Sequence, residues 1–218
     1  MKMVYMMAMK NVRLTQILKF LEPIIRGDEV VSDKPHNIRA QAIWIMRNVV
    51  FEHPRYCYNL LWPVLTDVTL PTAVRIAAFD VLMNETPQSE RFINVYWLMV
   101  YEKNEHLYNY YVDTIKGLAT SVDPCLMQAR ELAKKLLKIV RVRNVTGPLS
   151  RKFYVDYVDN KYEYNERVKG SLIVDHASGL PYIGSIEHVA SVKARKPVTK
   201  LGVSIVINFT IKNMQDSL

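Results

Sequence analysis

Pro71-Thr72-Ala73-Val74-Arg75-Ile76-Ala77-Ala78-Phe79-Asp80-Val81-Leu82-Met83 repeats a pattern that the chain has already used once, in Pro35-His36-Asn37-Ile38-Arg39-Ala40-Gln41-Ala42-Ile43-Trp44-Ile45-Met46. Placing Pro35 on Pro71 gives an offset of 71 − 35 = 36, and Asp33/Thr69, Ile38/Val74, Arg39/Arg75, Ala42/Ala78 and Ile45/Val81 follow at the same offset. A period in the thirties is the size of one helix-turn-helix unit, and such units stack because none buries its apolar face alone. Within each copy Asp33 or Thr69 is the expected cap, and Pro35 or Pro71 sits in the first turn, where a missing N–H costs nothing. Ile38, Ala42, Ile45 and Val49, and then Val74, Ala78 and Val81, form the buried stripes. Ala42 and Ala78 admit a close neighbour, whereas Arg39 and Arg75 are expected to bury their stems and keep their charges at the edge.

Working outward, apolar residues recur at helical spacing from about Val4 to Ile25, and Pro23 with Gly27-Asp28 ends that run. Arg55 to Leu65 is the partner helix of the first copy, with Tyr58, Leu61, Trp62 and Leu65 on one face and Pro63 inside it. Thr86-Pro87 opens the partner of the second copy, which carries Phe92, Val95, Tyr96 and Met99. His106 to Ala119 follows, and Asp123-Pro124 is expected to cap a last helix bearing Ala129, Ala133, Leu136 and Val140.

At Asn144-Val145-Thr146-Gly147-Pro148 the helical period gives way to a period of two, which moves the chain from helix to sheet. The expected strands are Phe153 to Val158, Lys161 to Val168, Leu172 to Val174 and Tyr182 to Val192, with turns at Asp159-Asn160 and Ser178-Gly179-Leu180-Pro181. The clearest strand comes last. From Val198 to Ile211 it would span about 45 Å at the usual rise, longer than most strands. Leu201, Val203, Ile205, Ile207, Phe209 and Ile211 make an apolar row, opposite Gly202, Ser204, Asn208 and Thr210. The fold class is therefore α+β: a helical solenoid over residues 1–147, then antiparallel strands over 148–218.

The 218 residues carry a net charge of +8, are half apolar and include 13 tyrosines, which excludes a disordered chain. Cys57 and Cys125 make no C-x-x-C and no disulfide framework, and both are expected as buried thiols. Lys193, Arg195, Lys196 and Lys200 form the one basic cluster, without the interleaved aromatics of a single-strand binder, so no nucleic-acid partner is expected. No metalloprotease, lipase, Walker or dinucleotide motif occurs. Asp175, His176 and Ser178 are too close in sequence for a triad, and Glu102, Glu105 and His106 read as a solvated helix end; no enzyme is expected, and no metal or cofactor. Of the sequons at Asn84, Asn144 and Asn208, Asn144 is the accessible one and the expected glycan acceptor. The run Met1 to Lys10 is too short for a signal core or a membrane span and reads as mid-helix, so the chain is expected to be a piece of a longer one.

Pro71 to Phe79 followed by Asn84-Glu85-Thr86-Pro87 resembles the signature of the large lipid transfer proteins: vitellogenins, apolipophorins, apolipoprotein B and the microsomal triglyceride transfer protein. Tyr101-Glu102-Lys103-Asn104-Glu105 and Tyr110 to Ala119 are similar to the family's next helices. Leu180-Pro181 and Ile183 resemble the first strands of its lipid-cavity sheet, although Tyr182 stands where the family often has a basic residue. The resemblance covers the chain from about Pro35 onward and favours the vitellogenin or apolipophorin branch. It implies a secreted, non-catalytic lipid carrier of the yolk-lipoprotein kind. Here the chain would supply the end of the helical horseshoe and the start of the cavity sheet, with the row from Leu201 to Ile211 facing lipid. The implied partners are phospholipid or neutral lipid, with a cell-surface receptor or a second subunit as further candidates. The competing readings are a protein-interaction scaffold of the HEAT type, which long amphipathic strands argue against, and a basic nucleic-acid-binding domain.

Overall fold

A computed structural model describes residues 16–29, 35–50, 52–83, 89–123, 126–144, 147–159, 161, 164–175, 179–192 and 201–210, the last segment as backbone. The chain forms two compact units, Met1–Pro87 and Gln88–Leu218. The passage from helix to strand falls between Leu137 and Arg151, inside the second unit.

In the first unit, α1 (Ile17–Arg26), α2 (Pro35–Ile45, continued by a 3-10 turn at Met46–Asn48), α3 (Pro54–Thr66) and α4 (Thr72–Leu82) follow the expected runs. The two copies of the repeat pack against one another as α2 and α4, and α3 packs on α4. Ala42 and Ala78 have no exposed surface. Helix α1 ends as its sequence requires: Gly27 takes the left-handed conformation (φ 89°) and its N–H returns to the carbonyls of Pro23 and Ile24.

Three expectations change. Helix α4 has no single stripe, because every residue from Ala73 to Leu82 is buried, Arg75 and Asp80 included. The paired arginines of the repeat are helix locks. Arg39 Nε donates to the Ile25 carbonyl (2.7 Å) at the end of α1, and Arg75 Nε donates to the Leu65 carbonyl (3.0 Å) near the end of α3. Each guanidinium satisfies a terminal carbonyl that has no partner inside its own helix. Thr69 does not cap α4: its N–H and hydroxyl both donate to Asp67 Oδ1 in the preceding turn, and Pro71 holds the cap position. Asp33 lies outside the described residues. Between the copies Arg47 forms an ion pair with Asp80, both almost fully buried.

The second unit contains α5 (Ser89–Tyr101), α6 (Glu105–Thr120), α7 (Met127–Leu137) and a four-stranded antiparallel sheet in the order β1 (Arg151–Asp159), β2 (Tyr164–Val174), β3 (Pro181–Val192) and β4 (Leu201–Thr210). Phe92, Val95 and Met99 are the buried positions of α5, as their spacing predicts. Asn104 caps α6, its side chain accepting the Leu107 N–H at 3.0 Å. At α7 the expected Asp123 cap is absent: Leu126 occupies that position without a side-chain cap, and the Asp123 carboxylate pairs with Arg167 on β2. The strands expected at Lys161 to Val168 and Leu172 to Val174 are one strand, with a register irregularity at Ile173/Val174. Gly179 turns the chain into β3 with φ 68°, its N–H bonded to the Asp175 carbonyl at 2.9 Å.

Helix α6 packs on α7 and on β1. Gly117 permits the approach to the sheet: a Cβ there would run into the ring of Tyr154, standing 2.8 Å from its Cγ. Glu102 and His106, read as a solvated helix end, are buried. The Glu102 carboxylate accepts the Asn104 N–H (2.8 Å), and His106 Nδ1 accepts the Ser150 N–H (3.3 Å) while Ser150 Oγ accepts from Val174 N (3.0 Å). His106 and Ser150 thus join the start of α6 to the strands. Glu105 alone of the three is exposed.

Candidate functional site

The sheet register sorts the strand residues into two faces, because directly opposed residues of an antiparallel ladder lie on the same side. One face carries Lys152, Tyr154 and Asp156 of β1, Arg167, Lys169, Ser171 and Ile173 of β2, and Ser185 of β3. The other carries Phe153, Val155 and Tyr157, then Val168, Gly170 and Leu172, then Ile186 and His188.

The largely polar face is the one turned to the helices. Lys152 and Lys169 are 7% and 5% exposed, and Ser171 and Ser185, at 3% and 6%, bond each other through their hydroxyls at 2.5 Å. The Lys152 ammonium lies 5.7 Å from the Tyr110 ring of α6. Asp156 accepts from Ser121 at the end of α6 and from Arg167 Nε (3.0 Å), and Arg167 reaches on to Asp123. Burial of Asp156 and Arg167 is tolerable because both are paired and hydrogen-bonded, and the Lys152 ammonium sits over two rings, Tyr110 and Tyr154 (5.5 Å).

The apolar face is the one left open. Phe153, Val155, Tyr157 and Ile186 are 45%, 59%, 55% and 38% exposed. In the usual half-buried antiparallel sheet the apolar side packs on the core and the polar side meets water; here the assignment is reversed. Phe153 lies over Gly170 of the neighbouring strand, where any Cβ would collide with its ring. At the β1–β2 hairpin end the same face turns polar: the Tyr164 hydroxyl (2.9 Å) and His188 Nε2 (2.7 Å) both contact Glu166. These bonds, Tyr164's first, hold the Glu166 carboxyl below the usual carboxylate range.

In β4 the register sets Leu201, Val203, Ile205, Ile207 and Phe209 opposite Val192, Ala190, His188, Ile186 and Gly184. Five of the six positions of the apolar row thus share the face of Ile186, Val155 and Phe153; Ile211 lies outside the described residues. The described part of β4 is ten residues, about 33 Å. Phe153, Val155, Tyr157 and Ile186 were not singled out from sequence, although the alternation of Phe153, Val155 and Tyr157 with Tyr154 and Asp156 carries the signal. Asn144 is exposed between α7 and β1. Cys57 is a buried thiol. Asn84, Cys125, His176, Ser178 and the basic cluster Lys193 to Lys200 lie outside the described residues. Among the described residues no helix is long and apolar enough to cross a membrane.

Residues 1–116 match the family model of the vitellogenin TPR domain, and the chain belongs to that vitellogenin-like family of large lipid transfer proteins. It is 26% identical over 141 residues to vitellogenin-6 of Oscheius tipulae, an alignment spanning 65% of this chain and 8% of that protein. A solved structure concerned with lipid–protein interactions in lipovitellin superposes with a TM-score of 0.77 at 15% identity, covering 99% of this chain and 26% of that one. The helices and the sheet that follows them therefore recur together in lipovitellin as one succession of elements, and the α+β class holds across both.

Proposed function

We propose that the open apolar face of the sheet is a lipid-contacting wall, and that the chain acts within a secreted, non-catalytic lipid carrier of the vitellogenin kind. The observation that carries this reading is the reversed sheet. Burying a large apolar side chain is worth about 1.5–3 kcal/mol, and Phe153, Val155, Tyr157 and Ile186 realise only part of it. Meanwhile charged Lys152, Lys169, Asp156 and Arg167 occupy the side that the helices cover. Such an arrangement is favourable when something apolar other than protein supplies the second layer. Acyl chains fit, since side chains on one face of a strand recur about every 6.7 Å and form a continuous wall.

Membership of the family, and a lipovitellin structure whose subject is lipid contact, support phospholipid or neutral lipid as the partner. They also support an extracellular setting. A receptor or second subunit would engage surfaces other than this wall, and Asn144 would carry the glycan. The test is lipid co-purification of the double variant Ile205→Asp/Ile207→Asp. Loss of bound lipid with unchanged helical circular dichroism is the expected result. Lipid content equal to the parent's would turn the reading toward a protein-interaction scaffold.

A further inference from the structure

Apart from the sheet face, the second unit holds a cavity of about 640 Å³ between α5, α6 and the segment that follows α7. That volume lies in the range of small-molecule sites, about 300–1,000 Å³. We propose that it binds a single-chain amphiphile with an anionic head, a carboxylate or a phosphate.

The inner wall is Met99, with no exposed surface, and Tyr111, at 1%. The rim is also apolar: Val100, Ile139 and Val142 are 42%, 55% and 68% exposed. Tyr96 and Tyr108 also line the cavity, so its wall is mixed, and an aliphatic chain fits along the strip of Met99, Val100, Ile139 and Val142. Among the described residues the charge at the site is of one sign, since Arg141 and Arg143 line the cavity and no Asp or Glu does. Arg143 is held in place: its guanidinium stacks on the Tyr108 ring at 3.7 Å, and one Nη donates to the Glu102 carbonyl at 2.8 Å. Tyr108 in turn donates its hydroxyl to the Arg141 carbonyl at 2.7 Å, which fixes the segment bearing both arginines. A guanidinium has five N–H donors in a planar fork that matches carboxylate and phosphate oxygens. Set beside that apolar strip, the fork selects a chain with a negative end over a neutral one.

The test is calorimetric titration of the 218-residue protein with dodecanoate and dodecyl phosphate below their critical micelle concentrations and with dodecanol below its solubility limit. At least one anion should bind about tenfold or more tightly than dodecanol. Arg141→Gln, at an exposed side chain, should weaken that anion at least threefold without moving the thermal melt, and Arg141→Gln/Arg143→Gln should weaken it further while dodecanol changes less than twofold. Peptide mapping after labelling with a diazirine fatty acid should place adducts in residues 96–111 and 139–143. Equal affinity for dodecanol, wild-type binding by the double variant, or adducts confined to residues 151–210 would each overturn the proposal. The last outcome would leave the lipid wall of the sheet standing.

Discussion

Arg75 and Asp80 sit five residues apart on the most enclosed helix of the first unit, and each has a different reason to be there. Arg75 closes the end of α3 through the Leu65 carbonyl, and Asp80 neutralises Arg47 on the other copy of the repeat. Removing one member of a buried pair leaves a charge without its counterion, which costs about 3–5 kcal/mol. Asp80→Ala is therefore expected to lower stability by about that amount in urea unfolding, and Arg47→Leu/Asp80→Leu to recover much of it. A loss below 1 kcal/mol for the single variant would show the pair to be dispensable. The 36-residue offset made the arginines visible in sequence, but their partners are backbone carbonyls ten and fourteen residues away, which no side-chain pattern announces. The same limit explains Asp123 and Thr69: each is a competent cap by type, and each is claimed by a nearer or stronger partner.

Elements were legible wherever one periodicity ran without interruption. Helices α3, α5 and α6 begin and end within a few residues of the expected positions because apolar spacing and Pro or Asn punctuation agree. The sequence places two strands, Lys161 to Val168 and Leu172 to Val174, where the structure has the single strand β2. The structure keeps it whole by laying Phe153 across Gly170, a contact between strands that the local sequence does not contain. At the contact of α6 with β1, Gly117→Val should destabilise by about 1–3 kcal/mol, the usual cost of overpacking, even though valine removes a helix-interior glycine. A higher melting temperature would contradict the close approach to Tyr154. The strands also depend on α6: Asp113 pairs with Arg151 at the start of β1, and Ser121 and Tyr110 serve Asp156 and Lys152 on the polar face. Expressed as residues 148–218 alone, the sheet should aggregate, and a soluble monomer with dispersed amide resonances would contradict this dependence.

For the whole molecule, the change from helix to sheet was readable near residue 147, and the β4 row announced an apolar face. What the sequence could not convey is which face the helices take. That choice depends on Lys152 and Arg167 finding Tyr110 and Asp123 outside the sheet, and lone lysines and arginines in a strand read as solvent-facing. Lipid contact by the sheet follows from that choice. Nitroxide labels placed one at a time at positions 152 to 158, with the protein bound to phosphatidylcholine vesicles, measure it directly by collision with oxygen, which concentrates in acyl chains. Oxygen accessibility should alternate along β1, with maxima at 153, 155 and 157 that rise on addition of lipid. Maxima at 152, 154 and 156, or a pattern that lipid leaves unchanged, would contradict a lipid-contacting sheet.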